Sequence, residues 1–320
     1  MRPRRPPMTQ ATLRQPALRL GTRRSPLAMA QAEEARARLC AAHGWAQEAV
    51  ELVPVIASGD KIQDRPLAEI GGKALWTREL DGWLAEGRID AAVHSMKDVE
   101  TQRPAELAIA AILPRADRRD VLVGARSIAA IPQGASLGTS APRRAAQMRH
   151  LRPDLKVVLF RGNVATRISK LSAGEADVTL LAKAGLDRLG EAGVGTPLDP
   201  EEFLPAPAQG AIGIECRAGD DRVRDLLAAV DDAPSHAEIR AERALLAGLG
   251  GTCHSPVALD CRWREDGRLV MRAALFSPDG TVRVDGERLF AAGDAEGVHG
   301  FAADLLARAA PAIQAVFSGG

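Results

Sequence analysis

Ala91-Ala92-Val93-His94-Ser95-Met96-Lys97-Asp98-Val99 sets a hydroxyl, an ammonium and a carboxylate directly behind a short apolar run. The residues from Ile89 to Val93 are apolar, partly β-branched and preceded by Gly87-Arg88, the pattern of a short buried strand. Proteins of the α/β class bind ligands outside the carboxyl ends of their strands. Lys97 beside Asp98 therefore offers an anion contact next to an acid or base. An ordinary polar loop is the competing reading of the same peptide. What weighs against it is the rest of the chain, where further strand-to-loop junctions also end in Arg or Lys.

Outward from that peptide, strands and helices alternate through the first two thirds. Strands are expected over residues 17–21, 50–57, 89–93, 107–112, 120–123, 156–160 and 178–181. Helices are expected over 25–42, 75–86, 143–150, 164–173 and 185–189, the first capped by Ser25 with Pro26 at its opening position. This is a doubly wound α/β pattern. In the last third, Ser235-His236-Ala237-Glu238 reads as a capping box opening a helix to about Gly248. Alternating strands follow over 257–263, 269–276 and 281–289, with Asp266-Gly267 and Asp279-Gly280 at the turns. A helix over 295–317 ends the pattern, so a small α+β unit with a three-stranded antiparallel sheet follows the α/β body.

Composition narrows the function classes. A length of 320 residues suits two or three domains, and a net charge of +1 lacks the basic excess of nucleic-acid binders. Aromatics make up 3% with no tyrosine, which argues against base-stacking platforms and aromatic cages. No apolar run reaches membrane-spanning length. The basic, proline-rich start, Met1-Arg2-Pro3-Arg4-Arg5-Pro6-Pro7, has no apolar stretch of a secretory signal behind it. It is expected to be a disordered tail over residues 1–16, with Met8 an alternative start. The cysteines Cys40, Cys216, Cys253 and Cys261 form no CxxC pair, which favours reduced thiols in a cytoplasmic protein and no metal site.

The cations gather at strand ends and helix starts, where free N–H groups and helix dipoles already favour anions. Arg23 and Arg24 end the first strand, and Lys73 follows Gly71-Gly72. Arg143 and Arg144 follow Gly138-Thr139-Ser140, while Arg161 precedes Gly162-Asn163 and Arg167 lies one turn on. Any one of these could be a solvated surface charge, a reading that weakens as the junctions repeat. Neither a P-loop nor a GxGxxG fingerprint is present, so a substrate bearing several carboxylates fits better than a nucleotide. Lysine is rare, at Lys61, Lys73, Lys97, Lys156, Lys170 and Lys183. Cys253 stands on the glycine loop Gly250-Gly251-Thr252-Cys253-His254, where a thiol is accessible; a Cys–His dyad is a further possibility there. The other three cysteines read as buried packing residues.

Together these peptides resemble the porphobilinogen deaminase (hydroxymethylbilane synthase) family. The resemblance rests on Gly21-Thr22-Arg23-Arg24-Ser25-Pro26-Leu27-Ala28, Gly71-Gly72-Lys73-Ala74-Leu75, His94-Ser95-Met96-Lys97-Asp98-Val99 and Gly138-Thr139-Ser140. It continues through Arg143-Arg144, Arg161-Gly162-Asn163-Val164, Thr166-Arg167, Leu204-Pro205-Ala206 and Gln209-Gly210-Ala211, collinearly from about residue 18 onward. The resemblance implies a transferase that joins four porphobilinogen units into hydroxymethylbilane with release of ammonia. It implies a dipyrromethane cofactor held by a thioether to Cys253, with Asp98 as the catalytic carboxylate. Lys97, Thr139, Ser140, Arg143 and Arg144 match cofactor-binding positions. Arg23, Ser25, Lys73, Ser95, Arg161, Asn163, Arg167 and Gln209 match substrate-binding positions.

The implied fold has two periplasmic-binding-protein-like domains, over 17–113 with 211–231 and over 118–206, and a third over 235–320. A monomer that contacts neither nucleic acid nor membrane is expected. Thr252, Ala141-Pro142, Ala57, Trp76 and Ala208 depart from the family pattern, the last where glycine often precedes Gln209. The alternative is a non-catalytic module of periplasmic-binding-protein type that closes on a small anion.

Overall fold

The computed structural model describes residues 16–55, 77–252 and 255–317. The expected tail, Lys73, Ala57, Trp76 and Cys253 lie outside the described residues. In chain order the first region contains β1 (Leu18–Arg23), α1 (Pro26–His43), β2 (Val50–Val55), α2 (Arg78–Ala85), β3 (Ala91–Ser95) and β4 (Leu107–Ile112). The second contains β5 (Asp120–Val123), β6 (Ser136–Gly138), α3 (Pro142–Leu151), β7 (Lys156–Val158), α4 (Val164–Ser172), β8 (Val178–Ala182), α5 (Lys183–Arg188) and β9 (Thr196–Pro197). The chain then returns to the first region as β10 (Ile212–Arg217) and α6 (Asp221–Ala228). It continues through α7 (Ala233–Leu249), β11 (Val257–Trp263), β12 (Leu269–Phe276), β13 (Arg283–Phe290), α8 (Ala295–Arg308) and α9 (Pro311–Phe317).

Among the described residues the strands form two five-stranded sheets, ordered β2-β1-β3-β10-β4 and β7-β6-β8-β5-β9, and a three-stranded sheet β11-β12-β13. In the first, β1 runs parallel to β2 and β3, and β10 runs antiparallel between β3 and β4. In the second, β6 runs parallel to β7 and β8, whereas β5 is antiparallel to β8 and β9. The third sheet is antiparallel throughout, as its alternation and Asp-Gly turns require; Gly267 and Gly280 take the positive φ those turns need.

The expected α/β body and three-stranded unit are present, and three local expectations are corrected. α7 is capped by Asp232, which accepts from the Ser235 N–H at 3.0 Å, so the helix starts before the expected capping box. Ser235 Oγ instead accepts from the Arg115 N–H at 2.9 Å, and Glu238 pairs with Arg115 and Arg118. The terminal helix divides into α8 and α9 because Pro311 has no N–H to continue the first and fits the opening turn of the second. β6 and β10 carry sheet where no strand was expected.

Each region buries its own core. In the first, Leu18, Leu20, Val93, Ile212 and Ile214 pack against Leu39 of α1 and Val223 of α6. In the last, Leu259, Met271 and Phe290 pack against Leu245 of α7 and Phe301 of α8. Cys40, Cys216 and Cys261 are free and buried. Burial pushes the Cys216 thiol up to about 11, consistent with packing rather than reactivity.

Two crossovers join the α/β sheets and lie against each other. The Ala116 N–H donates to Gly210 O at 3.3 Å, and Gln209 Nε2 donates to Arg118 O at 2.8 Å. The first is anchored to the last region by ion pairs. Arg115 meets Glu242 at 2.6 Å and Glu238 at 3.1 Å, while Arg118 meets Glu238 at 3.0 Å and Asp260 at 3.2 Å. Ala208, beside Gln209, has a left-handed φ of 58° and donates its N–H to Glu242 at 2.5 Å.

Candidate active site

The two α/β sheets bring the ends of β1, β3, β6, β7 and β8 to one cleft of about 660 Å³. From the first region Arg23, Ser25 and Lys97 line it; from the second come Ser140, Arg144, Arg161, Asn163 and Arg167. Eight expected site residues, read from distant peptides, thus share one wall. Gly185 and Glu191 also line the cleft, although the sequence did not single them out as site residues.

Lys97 and Asp98 form the single turn of 3-10 helix, Met96–Asp98, that ends β3. That turn is rigidly mounted. The Met96 N–H donates to Ala211 O at 3.1 Å, and Gly213 of β10 leaves room for the Met96 side chain: a Cβ there would lie 2.1 Å from its sulfur. Behind the turn, Arg243 of α7 donates to Glu100 O at 2.7 Å and Thr101 O at 2.9 Å. Arg103 grips Glu100 at 2.7 Å and Glu215 at 2.7 Å.

Neither the Lys97 ammonium nor the Asp98 carboxylate makes a hydrogen bond or ion pair among the described residues, so both remain available to a ligand. Desolvation pushes the Lys97 ammonium below its usual value; Asp98 and Asp120 oppose that shift, and Arg144 and Arg167 add to it. Arg167 is lowered to about 10 by burial and by Arg144, with Asp98 opposing and Arg161 adding. It stays charged at neutral pH. This crowding of like charges favours bound carboxylates.

The paired arginines at the start of α3 are both buried and share Asp120 of β5, itself 0% exposed. Arg143 Nη1 donates to Asp120 Oδ2 at 2.6 Å and to Leu204 O at 2.9 Å. Arg144 Nη2 and Nε reach Asp120 Oδ1 at 2.6 and 2.9 Å, and Nη1 reaches Leu180 O at 2.8 Å. Burial would raise the Asp120 carboxyl, but the two guanidinium charges outweigh it and hold it at about 2. The sequence offered no direct sign of Asp120, although two adjacent buried arginines demand such a counter-charge.

Other expected site residues have partners of their own. Ser25 Oγ accepts from the Ala28 N–H at 3.4 Å, and Asn163 Oδ1 accepts from the Thr166 N–H at 2.9 Å, each capping a helix at the cleft. Ser95 exchanges hydrogen bonds with Gln31, at 2.7 and 3.1 Å. Thr139 is buried and its Oγ1 accepts from the Ala141 N–H at 3.2 Å. Gln209 sits in the crossover, buried, with Oε1 unpartnered.

Comparison with known proteins gives this cleft its context. A family model described as "Porphobilinogen deaminase, dipyromethane cofactor binding domain" matches residues 18–225, and one described as "Porphobilinogen deaminase, C-terminal domain" matches 236–299. The chain belongs to the porphobilinogen deaminase family. The porphobilinogen deaminase of Sphingopyxis alaskensis is 58% identical over 94% of this chain and 96% of its own length. That of Paracoccus denitrificans is 48% identical, with 95% and 98% covered. Among solved structures, the VFT2 domain of Bordetella pertussis BvgS is 16% identical, with a TM-score of 0.39 over 71% of this chain and 90% of that one. The activity is that of a transferase in tetrapyrrole biosynthesis, joining four porphobilinogen molecules into hydroxymethylbilane with release of ammonia.

Porphobilinogen deaminases carry a dipyrromethane cofactor. The donor set of the cleft suits such a group, whose pyrroles bear acetate and propionate side chains. In the lining, Lys97 makes no hydrogen bond or ion pair among the described residues and Arg167 uses only Nε, toward Gly162 O at 3.1 Å; next to Arg144, outside the lining, Arg143 Nε is buried without an acceptor.

Proposed function

We propose that porphobilinogen is bound and activated in this cleft, with Asp98 as the catalytic carboxylate. The observation that carries the reading is Lys97 in the cleft opposite Arg144 and Arg167, with Asp98 beside it on the same turn and neither side chain hydrogen-bonded or ion-paired among the described residues. Arg23, Arg161, Arg167 and Lys73 hold the acetate and propionate groups of the substrate, with Ser25, Ser95, Asn163 and Gln209 shaping its place. Lys97, Thr139, Ser140, Arg143 and Arg144 hold the cofactor, and Cys253 bears it through a thioether. The dipyrromethane, when bound, supplies the nucleophilic pyrrole carbon to which the first substrate is joined.

Asp98 acts on the substrate. Loss of ammonia from porphobilinogen leaves an electron-poor azafulvene carrying developing positive charge. A fixed carboxylate stabilises that charge and accepts the proton released after the carbon–carbon bond forms. Arginines cannot deprotonate in this range, so they hold a growing polyanion at every step. Closure of the two α/β regions about the paired crossovers suits such lengthening. We place the division at 17–113 with 211–231, 118–206 and 235–320, in a cytoplasmic monomer without nucleic-acid or membrane partners. No helix among the described residues is long and apolar enough to cross a membrane.

The test is the intact mass of the denatured protein and of Cys253→Ser, with ammonia release on addition of porphobilinogen. Two linked pyrroles of extra mass, lost in the variant, together with ammonia release, are expected. Binding of porphobilinogen without ammonia release would make the protein an anion-binding module instead.

A further inference from the structure

The Asp120 carboxylate pairs with both arginines at the start of α3, Arg143 and Arg144, of which Arg144 lines the cleft. Arg144 reaches the cleft with all three of its guanidinium nitrogens engaged, two by Asp120 and one by Leu180 O. Its direction is therefore set from behind, by a carboxylate on a different element. Two guanidinium groups against one carboxylate leave a net positive charge at the opening turn of a helix, where the dipole adds to it. We infer that Asp120 is a positioning residue for the reaction, aiming Arg144 into the cleft and keeping the cationic wall charged. The inference rests on the proposed reading of the cleft as the substrate site.

Among the described residues, the charges that act on Lys97 are Asp98 of its own turn, Arg144 of α3, Asp120 of β5 and Arg167 of α4. Removing the Asp120 charge leaves Asp98 alone against two arginines, so Lys97 loses its proton at lower pH. A side chain needed only for folding would not move that titration.

The experiment is Asp120→Asn, of nearly the same shape, measured for KM, kcat and the pH profile of kcat/KM. An increase of about tenfold in KM is expected with a smaller change in kcat, the pattern of a lost ground-state contact. The alkaline limb should move to lower pH. On an Asp98→Asn background, calorimetric affinity for porphobilinogen should fall to a similar extent. If Asp120→Asn does not fold, Asp120→Asn with Arg143→Met removes one charge from each side and should restore folding, still with a raised KM. Wild-type KM with an unmoved alkaline limb, in whichever variant folds, overturns the inference. Failure of the underlying reading is distinguishable, because wild-type protein would then release no ammonia from porphobilinogen.

Discussion

Asp98 makes no hydrogen bond among the described residues, yet stands on a turn held from three directions. Asp98→Asn keeps the shape and removes the charge and the proton acceptor. Turnover should fall by at least about a hundredfold, the scale of a lost general base, while the mass of the attached cofactor is retained. Wild-type rates in that variant would exclude the role. Ala208 carries a second prediction. A non-glycine residue at φ 58° is strained, and here the strain is held by a hydrogen bond to Glu242. Ala208→Gly should raise stability by about 1 kcal/mol, since glycine adopts this conformation without the Cβ clash. A thermal midpoint that stays level or drops would show that this backbone is not strained. At this scale the sequence was most legible for charged side chains at strand ends, because burying one calls for a ligand or a partner. It was least legible for those partners: Asp120 and Glu242 look like any surface acid until the fold closes over them.

β10 shows what sequence pattern misses at the level of elements. Ile212-Gly213-Ile214-Glu215-Cys216-Arg217 lies between β3 and β4, but its glycine and its buried Glu215 disguise a central strand. Both departures have causes. Gly213 makes room for Met96, and Glu215 neutralises Arg103 beneath the catalytic turn. Gly213→Ala should therefore destabilise by about 1–3 kcal/mol through overpacking and also lower kcat, because Lys97 and Asp98 share the turn with Met96. A stability loss with unchanged kcat would separate the turn's position from this contact. α7 was legible as a helix because its apolar residues repeat at helical spacing, but its start was not. Asp232 and Ser235 both fit the cap, and only packing against Arg115 decides between them. The split at Pro311 follows from local chemistry alone.

For the whole molecule, alternating patterns announced two α/β sheets and an antiparallel unit, because period and turn residues are local signals. How the three units meet depends on buried ion pairs between residues far apart in sequence, and no periodicity encodes those. Other buried ion pairs, inside the two α/β regions, set the response to acid. Burial would raise the Glu215 carboxyl, but His94 and Arg103 hold it at about 2, from an ordinary 4.5. Asp120 is held at about 2, from an ordinary 3.8. A carboxyl depressed in the folded state stabilises above its unfolded pKa, and that contribution disappears as pH falls through the folded value. Each is worth on the order of 2–3 kcal/mol at neutral pH. Asp81 and Glu238, raised by burial, act in the opposite sense and blunt the effect. Unfolding free energy should thus stay level from pH 7 to about pH 5 and decline from there toward pH 2. Glu215→Gln should be less stable at pH 7, because Arg103 loses a buried partner, and its decline below pH 4.5 should be shallower than that of the wild type. Equal slopes in the two proteins would mean that the Glu215–Arg103 pair is not what acid breaks first.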